Sequence, residues 1–133
     1  MLVVVDTNVL VSALINPAGP PARIVEEIRT QALQPVIAAE LIAEYRDVLT
    51  RTRFGFSLDQ VESLLDDLTA LSLYLNATRL DTGALPDPDD APFIAVALAA
   101  ACPIVTGNSR DFPRDLGVEI LTPAQCLRRL FAD

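Results

Sequence analysis

The sequence contains no histidine, and that absence closes off a large part of enzyme chemistry. Ser-His-Asp triads, imidazole acid–base catalysis and His-ligated zinc or iron are all excluded. Lysine is missing too, because all 10 basic residues are arginine. That removes the lysine of a phosphate-binding P-loop, Schiff-base chemistry and receiver-type phosphorylation sites that rely on a lysine. Cysteine is scarce: Cys102 and Cys126 sit in apolar surroundings without a CxxC spacing, and read as reduced core residues of a cytosolic protein. Long apolar runs are scarce as well. The longest, Ala91 to Val105, is broken by Pro92 and Pro103 and falls short of the roughly 20 residues a membrane helix needs. The N-terminal apolar run reaches Asp6 at once and has no basic segment before it. No signal peptide or membrane span is expected, and the expected location is the cytoplasm.

What remains for chemistry is carboxylates and hydroxyls. A metal bound by such a chain sits among oxygen atoms, which favours Mg²⁺ or Mn²⁺. The 133 residues, 51% hydrophobic and 21% charged, suit a single domain over 1–133 with one core. A chain of this size buries roughly two-thirds of its unfolded surface and needs no disulfides. The net charge of −8 works against phosphate binding, which Lys and Arg drive. Four carboxylates gathered at a metal site would account for half of that charge, and two divalent ions would cancel them.

Strand-like and helix-like segments alternate along the chain. Leu2 to Val5 is a β-branched run that reads as a buried strand ending at Asp6. Pro20-Pro21 opens an amphipathic helix with Ile24, Val25 and Ile28 on one side. Pro35 to Ile37 reads as a second strand. Ala38 to Leu49 then repeats apolar residues at Leu41, Ile42, Tyr45, Val48 and Leu49 with helical spacing. Ser57 is a good N-cap for a helix over Leu58 to Leu71, whose Asp59, Glu62 and Asp66 read as a solvated face. Leu73 to Leu75 is a third strand candidate, followed by a loop to Leu85. Pro86 to Asp90 forms a turn that leads into an apolar helix reaching Ala101. Pro103 to Val105 and Val118 to Leu121 read as further buried strands, and Thr122-Pro123 opens the last helix. Short strands apolar on both faces and alternating with helices predict a three-layer α/β/α sandwich around a parallel sheet. Ligands bind such sheets beyond the carboxyl ends of the strands, where both Asp6 and the Thr106–Asn108 segment fall.

Four acidic residues stand out, each with a plainer role open to it. Asp6 can cap the turn after its strand. Glu44, near the edge of an apolar helix face, can be a solvated residue. Asp90, or its neighbours Asp87 and Asp89, can cap a helix. Asp111 can pair with Arg110 or Arg114. Together with their surroundings they are more specific. The segments LVVVDTNVLVSAL, ELIAEYRDVLTRTRF, DPDDAPFIAVALAA, PIVTGNSRDF and ILTPAQ, in that order, resemble the PIN-domain family. Within that family they are most similar to bacterial members that serve as toxins of toxin–antitoxin pairs.

The resemblance implies a flavodoxin-like sandwich and Mg²⁺- or Mn²⁺-dependent endoribonuclease activity. It also implies frequent homodimerisation and a cognate antitoxin as partner. Asp6, Glu44 and Asp90 match the family's first three acidic positions and Asp111 its less constant fourth, while Asn108 stands where many relatives carry another aspartate. In this reading Asp6 and Asp90 hold metal directly or through water, Glu44 holds or orients the attacking water, and Asp111 completes the shell. Two carboxylates about 4 Å apart repel by about 4 kcal/mol at an effective dielectric near 20, so such a cluster favours a divalent ion. Thr7, Asn8, Thr106 and Asn108 could orient carboxylates or touch phosphate, and Arg46, Arg51 and Arg53 could guide the RNA backbone or simply face solvent. Two alternatives remain: a catalytically weak PIN-fold binding module, and a haloacid-dehalogenase-like phosphatase. The latter wants a second Asp where Asn8 stands, and a lysine that is lacking.

Overall fold

The computed structural model describes residues 1–76, 90–112 and 115–132. Among these residues, five short strands form one parallel sheet in the order β3-β2-β1-β4-β5. They are β1 (Leu2–Val5), β2 (Gln34–Ile37), β3 (Leu73–Tyr74), β4 (Ile104–Val105) and β5 (Ile120–Leu121). Six helices flank them: α1 (Thr7–Ile15), α2 (Pro20–Arg29), α3 (Ala39–Leu49), α4 (Leu58–Leu71), α5 (Ala91–Ala100) and α6 (Pro123–Leu130). The expected α/β sandwich with a central parallel sheet is the architecture found. The loop to Leu85 and most of the Pro86–Asp90 turn lie outside the described residues.

The sheet's centre follows from its most apolar strand. Val3, Val4 and Val5 of β1 are buried, with Leu2 opposite Gln34 on β2 and Val5 opposite Val105 on β4. Residues buried on both faces of a strand need helices on both sides. Helix α5 supplies one cover, packing on β1, β2 and β4. Six of its ten residues are buried, which is why its sequence shows almost no polar face. Helices α4 and α6 start at complete capping boxes, Ser57 with Gln60 and Thr122 with Gln125.

Helix α1 is the element that the apolar periodicity does not reveal. Its sequence TNVLVSALI is apolar nearly throughout and rich in β-branched residues, so it shows no contrasting polar face to mark it as a helix. Tertiary packing against α2 and α3 decides the matter. The last two strands are shorter than their apolar runs, although Ile104 N–H still donates to the Glu119 carbonyl at 2.9 Å.

The chain lays β1, β2 and β3 outward on one side, then returns to place β4 and β5 on the other. The reversal falls between β1 and β4. In open parallel sheets a crevice opens at such a switch point, beyond the carboxyl ends of the strands.

Candidate functional site

Asp6 follows directly on β1 at that switch point. Its N–H donates to the Val105 carbonyl at 2.9 Å, which ties it to the end of β4. It occupies the N-cap position of α1 without making a side-chain cap hydrogen bond. Its Oδ2 instead accepts a hydrogen bond of 2.7 Å from the Thr106 hydroxyl, on the residue after β4. The plain capping role open to Asp6 is therefore not the role it fills.

Thr106 is fully buried, and its hydroxyl is a hub. Besides donating to Asp6, it accepts from Asn8 Nδ2 at 3.3 Å and from the Asn108 N–H at 3.0 Å. The Asn8 amide closes the arrangement by accepting from the Gly107 N–H at 3.1 Å. The two strand-end segments, Asp6–Asn8 and Thr106–Asn108, are thus sewn together by side chains.

Beneath this network Tyr45 reaches from α3 and donates from its hydroxyl to the Val5 carbonyl at 2.6 Å. Burial, and secondarily the negative charge of Asp6, push this hydroxyl far above the ordinary tyrosine range. It stays protonated and remains a donor. Its ring meets Phe93 of α5 at 5.9 Å between centroids, so the floor locks β1, α3 and α5 together. The helical spacing marks Tyr45 as apolar core, and its hydroxyl bond was not legible in the sequence.

Asp6, Glu44 and Asp90 all line one cleft of about 320 Å³. They come from three elements: the end of β1, the middle of α3 and the start of α5. Asp90, like Asp6, holds an N-cap position without a side-chain cap bond. Two helix N-termini, those of α1 and α5, therefore border the cleft, and their dipoles favour negative charge there. Thr7, Asn8 and Asn108 also line it. The hydroxyl of Thr7 is buried and has no hydrogen-bond partner among the described residues. Asp111 lies in a short 3₁₀ turn, Ser109–Asp111, between Asn108 and the cleft-lining Phe112; its side chain is outside the described residues.

The three arginines of the α3–α4 segment divide. Arg51 and Arg53 line the cleft together with Phe54. Arg46 instead pairs with Glu62 on α4, so both members of that pair lie on the partly exposed α3–α4 face. Phe54 was not singled out from the sequence. Its signal is the pattern Arg-x-Arg-Phe-Gly-Phe at Arg51–Phe56, which concentrates cations and aromatics in six residues.

Every potential ligand in the cleft is an oxygen donor, as expected for a hard divalent cation. Among the described residues, no three acidic or cysteine side chains come close enough together to hold an ion. Among the same residues, no helix is long and apolar enough to cross a membrane.

The PIN domain profile matches residues 2–110, a span that includes Asp6, Glu44 and Asp90. An uncharacterized protein of Methanocaldococcus jannaschii is 32% identical over 108 residues, which cover 80% of this chain and 70% of the relative. PIN domains are generally nucleases and typically use divalent metal ions. With the profile matched over most of its length, and with the parallel sheet that the resemblance implies, this chain belongs to the PIN-domain family.

Proposed function

We propose that the protein is a Mg²⁺- or Mn²⁺-dependent endoribonuclease that hydrolyses RNA phosphodiester bonds in the Asp6–Glu44–Asp90 cleft. The observation that carries this is convergence: three carboxylates from three separate elements line one cleft at the sheet's switch point. The chemistry of the residues present fits a divalent ion. The donors are all oxygen, and the buried Thr7 hydroxyl awaits a polar partner. Asp6 and Asp90 would hold the metal, with Glu44 and Asp111 contributing. A metal there supplies Lewis-acid polarisation and offsets the charge that builds on the phosphate during hydrolysis.

The chain's own residues prepare the site. Thr106 fixes one oxygen of Asp6, so the carboxylate is oriented before substrate arrives. The Tyr45–Phe93 floor holds α3, which carries Glu44, against α5, which follows Asp90. Arg51 and Arg53 place positive charge on the wall of an otherwise acidic cleft, where a phosphate backbone needs it. The test is cleavage of RNA by purified protein with Mn²⁺ or Mg²⁺. EDTA and Asp6→Asn should each abolish cleavage, and activity that survives either one overturns the carboxylate–metal mechanism.

A binding module of weak catalytic power is the second reading. It draws on the lack, among the described residues, of three acidic groups close enough to hold one ion. It predicts RNA binding without cleavage at any metal concentration.

The toxin role rests on the resemblance of the motifs. Expressed alone, the protein should slow growth of its host, whereas Asp6→Asn should not. A small DNA-binding protein encoded by a neighbouring reading frame should restore growth when co-expressed. Normal growth under wild-type expression would remove the toxin role and leave the ribonuclease reading standing.

A further inference from the structure

The segment after α3 builds a feature that metal chemistry does not require. Thr52–Phe54 forms a 3₁₀ turn closed by Gly55 in the left-handed region, at φ 64°. In an extended strand, residues two apart along the chain point the same way but stand well separated. The turn at Gly55 brings Phe54 and Phe56 together, with centroids 5.5 Å apart and planes 7° from parallel. The Arg53 guanidinium lies over Phe54, 4.8 Å from its ring centroid.

The members of this stack are placed differently. Phe56 packs against the core and anchors the group. Phe54 and Arg53 both line the cleft that contains Asp6, Glu44 and Asp90. Nearby Arg46 and Arg51 are engaged by carboxylates, Glu62 and Asp47. Arg53 makes no ion pair among the described residues, and an aromatic ring holds it in place. A flat cation resting on a flat ring, at the wall of a cleft, is a surface suited to a third flat group. Nucleobases stack on aromatic rings and on guanidinium planes, and they do so when unpaired.

We propose that the Arg53–Phe54–Phe56 stack is a nucleobase platform on the wall of the cleft, where the Arg53 guanidinium, carried on the Phe54 ring, is the face that receives a base. The proposal deepens the ribonuclease reading and rests on it.

The experiment compares wild type, Phe54→Leu and Phe54→Tyr on a single-stranded oligoribonucleotide containing 2-aminopurine, with Mn²⁺ present. Leucine keeps an apolar side chain at this half-buried position, and tyrosine keeps the ring. Without the ring the guanidinium loses the support that holds it flat, and a lost base-stacking contact changes affinity on the order of ten-fold. Phe54→Leu should raise KM by about that factor with kcat little changed, and Phe54→Tyr should stay near wild type. An abasic ribose-phosphate oligomer of equal length should compete equally well against wild type and Phe54→Leu, because it offers phosphates and no bases. Wild-type KM in Phe54→Leu, or an abasic competitor that binds wild type as tightly as the base-bearing strand, overturns the platform. If wild type cuts no RNA, the nuclease reading fails, and 2-aminopurine fluorescence then decides the platform separately. Quenching by wild type but not by Phe54→Leu upholds it, and quenching by neither overturns it.

Discussion

Replacing Thr106 with valine removes one oxygen from the centre of the site and almost nothing else. The side chains have nearly the same shape, and residue 106 is 0% exposed, so neither a cavity nor an overpacked core results. What disappears is the 2.7 Å bond to Asp6 and the acceptor for Asn8 and Asn108. Asn108 is exposed, and water can satisfy its N–H at little cost. Asp6 is 9% exposed and has no such easy replacement. A hydrogen bond to a charged group is worth about 1.5–3 kcal/mol, and the extra buried methyl returns part of that. The expected destabilisation is about 2 kcal/mol. For a domain of this size, roughly 3–5 °C of melting temperature is lost per kcal/mol, so the midpoint should fall by about 6–10 °C. Losing the partner that orients a functional carboxylate typically costs 10–100-fold in metal affinity or activity. Cleavage should fall by about that factor. Thr106→Ser keeps the hydroxyl and should recover most of the activity. Thermal denaturation followed by circular dichroism, with RNA cleavage on the same preparations, checks both quantities. A valine variant that melts within about 2 °C of wild type and cuts RNA at the wild-type rate would refute the view that Thr106 positions Asp6.

Other perturbations have equally defined outcomes. Mn²⁺ at millimolar concentration should raise the wild-type melting temperature by binding the folded state, and Asp90→Asn should blunt that rise in a calorimetric titration. Tyr45 keeps its proton in the folded protein well above the ordinary value near 10, so an unfolded chain releases it first as pH rises. Stability should therefore fall above pH 10 by about 1.4 kcal/mol per pH unit from this group, and urea denaturation of Tyr45→Phe should lack that component. The Cys102 and Cys126 thiols, pushed up to about 11 by burial, add a similar loss from about pH 9 upward in both proteins. Arg46→Ala should change stability by less than about 1 kcal/mol, since its pair with Glu62 is partly exposed, and RNA affinity should not move; Arg53→Ala should weaken RNA binding in an anisotropy assay. Gly55→Ala should cost about 1 kcal/mol in denaturant unfolding, entirely from the left-handed backbone, because nothing lies within 4 Å of an added Cβ.

The sequence disclosed most where local chemistry and tertiary demand agree. Ser57 and Thr122 announce their helices through capping residues that the fold uses unchanged. The Leu2–Val5 run announces the central strand because only a strand covered on both sides is so uniformly apolar. The meeting of Asp6 with Thr106 was partly legible, since both end apolar strands and parallel sheets gather such ends. Helix α1 was hidden because an apolar helix following an apolar strand has no contrasting face. The hydroxyl bond of Tyr45 and the stacking of Phe54 on Phe56 were hidden for another reason. Each depends on where a distant backbone group or a turn's handedness places a ring, and hydropathy does not encode that. Arg46, Arg51 and Arg53 looked alike as a cluster, and the neighbouring carboxylates of α3 and α4 separate them.

The strand order bears on the moment at which this protein acquires its chemistry. Asp6 is synthesised a hundred positions before its partner Thr106, which directly follows the strand that completes the middle of the sheet. Ribosomes add about 5–20 residues per second. A nascent chain thus spends several seconds with β1, β2 and their helices available and no β4 beside them. During that interval Asp6 cannot be oriented from Thr106, and the wall formed by Asn108 and Phe112 does not exist. A chain that stalls or is cut before Ile104 carries most of the acidic residues and none of the geometry. The connectivity itself thus withholds the assembled cleft until β4 and the segment behind it have been synthesised.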